Sequence, residues 1–137
     1  MSAALGPEVR ALLGARNMAH VGTAMPDGAP QVSPVWIAVE GDRLAIFTGP
    51  ASVKARNLRR DGRIAISVVD EVNPYRGAMI RGRVVEELGG DDALAIMDRM
   101  SNRYLGEDWA FRSGVAFLVE PESVRFQDLP FQHPRPG

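Results

Sequence analysis

Polar side chains suited to anion binding stand where a predicted strand ends and a predicted helix begins. Thr48 ends the strand, Gly49-Pro50 turns the chain, and Ser52 is the expected N-cap of the helix. Free backbone N–H groups at a helix N-terminus, together with the helix dipole, form an anion site. The first two helical turns add three further donors, which are Lys54, Arg56 and Asn57. The pattern predicts a phosphate site here, and the alternative is a solvated basic face on which Ser52 only caps the helix.

Lys54 is the single lysine among 16 basic residues, the other 15 being arginine. An ammonium is a compact point charge that suits a phosphate, which gives one reason for a lysine in an arginine-rich chain. Chance in a GC-rich coding background is the other reason. The residue type alone leaves both open.

A second candidate is the run Ser33-Pro34-Val35-Trp36. A proline inside a strand cannot donate to the ladder, so it marks an edge or a bulge whose free backbone groups a ligand can use. The indole of Trp36 can flank a planar ring. The alternative is a core tryptophan beside an edge-strand proline.

A third candidate is the loop Asn73-Pro74-Tyr75-Arg76. It is either an ordinary turn or a loop that offers Tyr75 to stack on a ligand and Arg76 to pair with an anion. On the following strand Arg81 and Arg83 alternate with apolar residues. We expect these two side chains on the outer face, because burying unpaired cations is costly.

Composition excludes several classes of protein and of site. The chain has 137 residues, 45% of them hydrophobic, a net charge of −1, no cysteine and two histidines. These numbers argue against a nucleic-acid or membrane-surface binder and against disulfides, thiolate catalysis and metal centres built on Cys or His. There is no signal-peptide pattern and no run able to span a bilayer, so a cytoplasmic protein is expected.

No nucleophile-and-base motif, P-loop or G-x-G-x-x-G pattern occurs in the sequence. His20 is interpreted as a satisfied strand histidine, and His133 falls in a Pro-rich tail. We therefore assign no catalytic side chain. If the protein is an enzyme, a bound cofactor supplies the reactivity.

The elements that must position these residues follow from the spacing of apolar side chains. Three helices are predicted, at 7–16, 52–61 and 91–105. The predicted strands are 18–25, 31–39, 43–48, 63–70, 78–87, and then 115–120 with 123–127, which form one strand bent at Pro121 or a strand pair. On 31–39 the alternation puts Val35 and Ile37 on one face and Trp36 on the other.

Strand follows strand with mostly hairpin-length turns, which favours an antiparallel six- or seven-stranded barrel with peripheral helices over a Rossmann-type fold. No linker or internal repeat divides the sequence. The prediction is a single domain over 1–137, with its core at about 8–127 and a loose Pro-rich tail at 128–137.

The order of elements and four motifs resemble the split-barrel flavin-binding proteins of the pyridoxamine-5′-phosphate-oxidase-like superfamily, and within it the branch that uses the deazaflavin coenzyme F-420. The motifs are Ser33–Trp36, Lys54–Asp61, Asn73–Arg76 and Ile80–Val84. The resemblance extends from about residue 8 to residue 127.

The resemblance implies a dimeric mainly-β split barrel of the FMN-binding type, with cofactor sites at the interface of a homodimer. Lys54, Ser52 and Asn57 would hold the cofactor phosphate, with Arg56 as a further donor. Ser33, Pro34, Val35, Trp36 and Thr48 would line the ring. Tyr75 and Arg76 would approach it from near the interface.

The activity implied by this resemblance is that of an F-420-dependent reductase, which passes a hydride to a small electron-poor acceptor. One alternative is an FMN-binding oxidoreductase. The other is a non-enzymatic flavin- or haem-binding protein, because a barrel fold alone does not fix function.

Overall fold

The computed structural model describes residues 2–134 and 136, which form three helices and seven strands. The helices are α1 (Pro7–Gly14), α2 (Val53–Arg60) and α3 (Gly90–Leu105). The strands are β1 (Ala19–Ala24), β2 (Pro30–Val35), β3 (Ala38–Glu40), β4 (Arg43–Thr48), β5 (Arg63–Val69), β6 (Arg76–Leu88) and β7 (Val115–Asp128).

All seven strands belong to one antiparallel sheet, in the order β2-β1-β5-β6-β7-β4-β3. The strands at its two edges, β2 and β3, are separated in the chain only by Trp36 and Ile37. Three consecutive Cα–Cα steps span at most about 11 Å. The two edges therefore lie close together, and the sheet curls into the expected barrel, open along this seam.

The prediction of one continuous strand over 31–39 is wrong, because the strand breaks at the seam. The backbone N–H of Ile37 donates to the Tyr104 hydroxyl at 3.3 Å, and its carbonyl accepts from the Arg103 guanidinium. Two side chains of α3 thus replace ladder partners at the break. The predicted alternation nevertheless holds, since Val35 and Ile37 enter the main core whereas Trp36 packs on the other side.

The core fills the barrel and has a smaller extension beneath α3. Apolar side chains from β1, β4, β5, β6 and β7 meet inside the barrel, and α1 packs Val9, Leu12 and Leu13 against them. Ala93, Ile96 and Met100 of α3 form the second cluster with alanines of β4 and β7. This second cluster holds α3 beside the seam.

Other elements refine the predictions. Strand β7 runs unbroken through Pro121, and β6 begins at Arg76, the last residue of the predicted 73–76 loop. Pro34 stands on an edge strand, and Arg81 and Arg83 are exposed, as expected. Within the described part of the chain, no helix combines the length and apolar character needed to cross a membrane.

Candidate functional site

A cavity of about 530 Å³ opens at the seam of the barrel, between β2, the end of β4, the start of α2 and the loop over 106–114. Its volume lies in the range usual for small-molecule sites. Its wall is mainly apolar, with Pro34, Val35, Trp36, Phe47, Trp109 and Phe111 as the principal contributors. Lys54 is the one ionisable side chain among the described residues that line it.

The start of α2 is fixed to the end of β4 by side-chain hydrogen bonds. The Ser52 Oγ accepts from the Ala55 backbone N–H at 3.0 Å, which is the predicted N-cap. The same oxygen accepts from the Thr48 hydroxyl, also at 3.0 Å. These bonds hold the first turn of α2 beside the cavity.

Lys54 extends from α2 across to β2, where its Nζ donates to the Ser33 Oγ at 3.0 Å. The side chain is half-buried, and burial lowers the pKa of its ammonium. Over residues 2–134 and 136, no carboxylate lies within ion-pair distance of this ammonium. The cavity thus contains a partly desolvated cation whose described partner is a neutral hydroxyl.

Aromatic rings form the opposite wall of the cavity. Trp36 stacks on Tyr104 of α3, with ring centroids 4.9 Å apart and planes within 5°. Trp109 meets the rings of Trp36, Phe47 and Phe111 edge to face, at 5.2, 5.3 and 5.3 Å. This mutual packing makes an apolar wall whose rings are set at steep angles to one another.

Five of the predicted binding residues line this cavity, and two more are hydrogen-bonded to members of the five. The five are Pro34, Val35, Trp36, Thr48 and Lys54, and the two are Ser33 and Ser52. Of the two interpretations of the 33–36 run, its place on the edge strand beside the cavity favours the ligand-lining one. Trp36 also packs on the smaller core cluster, so it serves both the wall and the core.

Two predicted phosphate ligands point elsewhere in the single chain. Asn57 is 2% exposed, and its amide donates to the Thr23 hydroxyl at 3.0 Å and to the Met25 sulfur at 3.4 Å. These bonds tie α2 to β1. Arg56 is exposed, and neither residue belongs to the described cavity lining.

Within one chain, Tyr75 and Arg76 lie where β6 begins and β7 ends. The Tyr75 hydroxyl is 2.7 Å from the His133 Nε2, and Arg76 pairs with Asp128 at 3.1 Å. The backbone N–H of Leu129 donates to the Tyr75 carbonyl at 3.1 Å. Residues 129–133 of the tail, which was predicted as loose, therefore pack on the 73–76 loop; residues 135 and 137 of the predicted tail lie outside the described residues. His20 lies exposed on the outer face of β1.

Sequence reasoning missed the cavity residues of the 106–114 loop. Trp109 and Phe111 stand in a stretch without regular apolar spacing, and Phe111 is 67% exposed. Two large aromatics so close together in a polar loop were the available signal. The place where the loop lands depends on α3 packing, which no local pattern specifies.

Comparisons with known proteins agree with the fold of this chain. The sequence profile described as pyridoxamine 5′-phosphate oxidase matches residues 5–128. A solved structure named F-420 reductase shares 32% identity, with 85% of this chain and 94% of that chain covered and a TM-score of 0.75. A search of curated proteins found no match.

Two further solved structures share the fold at lower identity. A conserved hypothetical protein from Mycobacterium tuberculosis is 23% identical, with 99% of this chain and 94% of that chain covered and a TM-score of 0.79. HutZ, a haem storage protein from Vibrio cholerae, is 17% identical, with 91% and 96% covered and a TM-score of 0.68. At these identities the likeness establishes the fold alone.

Proposed function

The chain belongs to the pyridoxamine 5′-phosphate oxidase family, and on that premise we propose that it is an F-420-dependent oxidoreductase. The proposed reaction passes a hydride between the reduced deazaflavin and a small electron-poor organic acceptor. Its support is the similarity to a protein named F-420 reductase together with the chemistry of the cavity. The carrying observation is the half-buried Lys54, a cation without a described carboxylate partner beside an aromatic wall.

The residues at the cavity fit a cofactor that joins a planar ring to an anionic tail. Lys54, Ser52 and the first backbone N–H groups of α2 would hold the phosphate. Pro34, Val35 and Trp36 would line the ring. When bound, such a cofactor supplies the hydride chemistry that the side chains of this cavity lack.

The side chains at the cavity would bind and orient the cofactor and would exclude water. The Ser33 hydroxyl fixes the Lys54 ammonium at the cavity, and the Thr48–Ser52 bond fixes the helix start. Because β2 is an edge strand, half of its backbone groups remain free to bond the edge of a ring. No side-chain acid or base is assigned to the reaction, because Lys54, the one ionisable side chain of the described lining, is assigned to the cofactor tail.

FMN is the second candidate cofactor, because it also joins a flat ring to a phosphate. The contacts described for Lys54, Ser52 and Trp36 suit both cofactors equally. The 32% identity to a protein named F-420 reductase favours the deazaflavin. Haem has weaker support, since the haem storage protein is 17% identical and shares the fold alone.

We also propose that a second copy of the chain completes the site. The outer face of β2, β1, β5 and β6 carries the exposed apolar side chains Val32 and Met79, and it continues to the cavity mouth at Met18. A homodimer formed through this face would cover these side chains. It would also give Tyr75 and Arg76 a route to the cavity of the other copy.

Titration of the purified apo-protein with F-420, FMN and haem tests the proposal. We expect saturable binding of F-420 and a rise in melting temperature, because a ligand that binds only the folded state stabilises it. Fluorescence and thermal shift measure these effects. Stabilisation by FMN with none by F-420 would replace the deazaflavin proposal by the FMN one, and no response to any of the three would remove the enzyme proposal.

A further inference from the structure

The centre of the loop over 106–114 is attached to α3 by one carboxylate, that of Asp98. The Asp98 Oδ1 accepts from the Trp109 backbone N–H at 3.0 Å and from the Arg112 guanidinium at 2.7 Å. The Asp98 Oδ2 accepts from the second guanidinium nitrogen at 3.0 Å. Arg112 in turn donates to the Trp109 carbonyl at 2.9 Å. Both backbone polar groups of Trp109 are therefore held by the Asp98–Arg112 pair.

The two ends of the loop are also fixed. At the start, Gly106 takes a left-handed conformation with φ +82°, and the Asn102 amide donates to Asp108 at 2.7 Å. At the end, Gly114 lies so close to Met97 that an added Cβ would be 2.8 Å from its sulfur. Contacts with α3 therefore hold the loop at its start, at its centre and at its end.

The loop lines the cavity with three residues, which are Trp109, Phe111 and Ser113. Trp109 and Phe111 pack edge to face, with ring centroids 5.3 Å apart. A planar acceptor can gain aromatic contacts with these rings.

We propose that the 106–114 loop is the acceptor-binding wall of the cavity and that Asp98 is its positioning residue. The inference rests on the proposed function for the identity of the reaction, since Lys54 is assigned to the cofactor tail. Asp98 acts through Arg112 and the Trp109 backbone. Arg112 lowers the pKa of Asp98, so the carboxylate keeps its charge at neutral pH.

The experiment compares Asp98→Ala with Glu40→Gln, a matched control. Glu40 also makes a charged pair with α3, through Arg99 at 2.6 Å, and it does not contact the loop. Because Trp36 and Trp109 are the only tryptophans, the background variant Trp36→Phe leaves Trp109 as the sole indole reporter. Naphthoquinone, a planar ring that quenches indole emission, is the acceptor probe.

In the apo-protein we expect Asp98→Ala to shift Trp109 emission to the red and to weaken saturable quenching by naphthoquinone roughly tenfold, with Glu40→Gln unchanged. Asp98→Asn, which keeps the acceptor oxygen for the Trp109 N–H, should fall between Asp98→Ala and the protein with the unmodified loop.

With reduced F-420 present, Asp98→Ala should raise KM for naphthoquinone roughly tenfold while kcat and the Kd for F-420 change less than about twofold. Equal quenching and emission in Asp98→Ala and Glu40→Gln would overturn the positioning role. Failure to bind F-420 would remove the proposed function, and the apo-protein measurements would still decide the inference.

Discussion

At the scale of single residues, Lys54 keeps a positive charge where leaving water costs free energy. Its described side-chain partner is the neutral Ser33 hydroxyl, and burial lowers the pKa of the ammonium. A charge that costs free energy of folding indicates a role other than stability. Ionisable groups with shifted pKa values in clefts are frequent at functional sites. The cation therefore fits a ligand that brings its own negative charge.

Lys54→Met tests this interpretation in the absence of any ligand. We expect the melting temperature of the apo-protein at neutral pH to stay within about 2 °C of the wild type or to rise, because the variant removes a desolvation penalty. The penalty applies while the amine is protonated, so it is present at neutral pH and disappears as pH rises through the lowered pKa toward 10.5.

The measurement is calorimetry at pH values from neutral to alkaline. Any advantage of Lys54→Met over the wild type should narrow as the pH rises. A clear loss of stability in the variant at neutral pH would instead make Lys54 a structural residue held by Ser33.

At the scale of elements, the seam depends on α3. The Tyr104 hydroxyl donates to the Asn17 carbonyl at 2.6 Å and accepts from the Ile37 N–H at 3.3 Å. Its ring supports Trp36, the indole at the cavity wall. One side chain thus satisfies the backbone where the barrel opens and also orients the proposed site.

Tyr104→Phe should lower the free energy of unfolding by about 1–3 kcal/mol, because it leaves a buried N–H and a carbonyl without their partner. The phenyl ring keeps the stack on Trp36. Tyr75→Phe is the matched control, since Tyr75 is the other tyrosine and its hydroxyl bond to His133 is exposed. Urea unfolding of both variants measures the difference, and equal losses would contradict the role given to Tyr104.

The break at Trp36–Ile37 also explains where sequence reasoning stops. Alternation of apolar residues continues through the break, so periodicity alone predicts one strand over 31–39. The groups that interrupt it, Arg103 and Tyr104, come more than 60 residues later. Burial patterns within an element were predictable because they are local, whereas the partners of a backbone group depend on tertiary packing.

At the scale of the whole molecule, the same limit applies to the site. The barrel class, the edge position of Pro34 and the capped start of α2 follow from local signals. Asn57 illustrates the reverse, since its polar side chain faces Thr23 and Met25 under the helix. The sequence placed Asn57 in the first two turns of the helix and did not indicate which element its side chain would face.

The outer face of the barrel leads to a prediction about assembly. We expect light scattering to give twice the chain mass of 14.9 kDa for the wild type. Val32→Lys should shift the mass toward a single chain, because Val32 is 63% exposed on this face and a buried unpaired charge is costly.

Leu105→Lys is the control, since it adds the same charge at an exposed apolar residue at the end of α3. It should leave the mass unchanged. A wild-type protein with the mass of one chain at all concentrations would contradict the dimer and the contribution of Tyr75 and Arg76.

The most direct measurement of the central claim is the affinity for F-420 of the wild type and of Lys54→Met, by calorimetric titration at neutral pH. The account predicts that loss of the ammonium weakens binding by roughly 1.5–3 kcal/mol, about ten- to 150-fold, as for a hydrogen bond to a charged group. Equal affinity of the two proteins for F-420 would contradict it, because the anion would then bind without the one lysine of the chain.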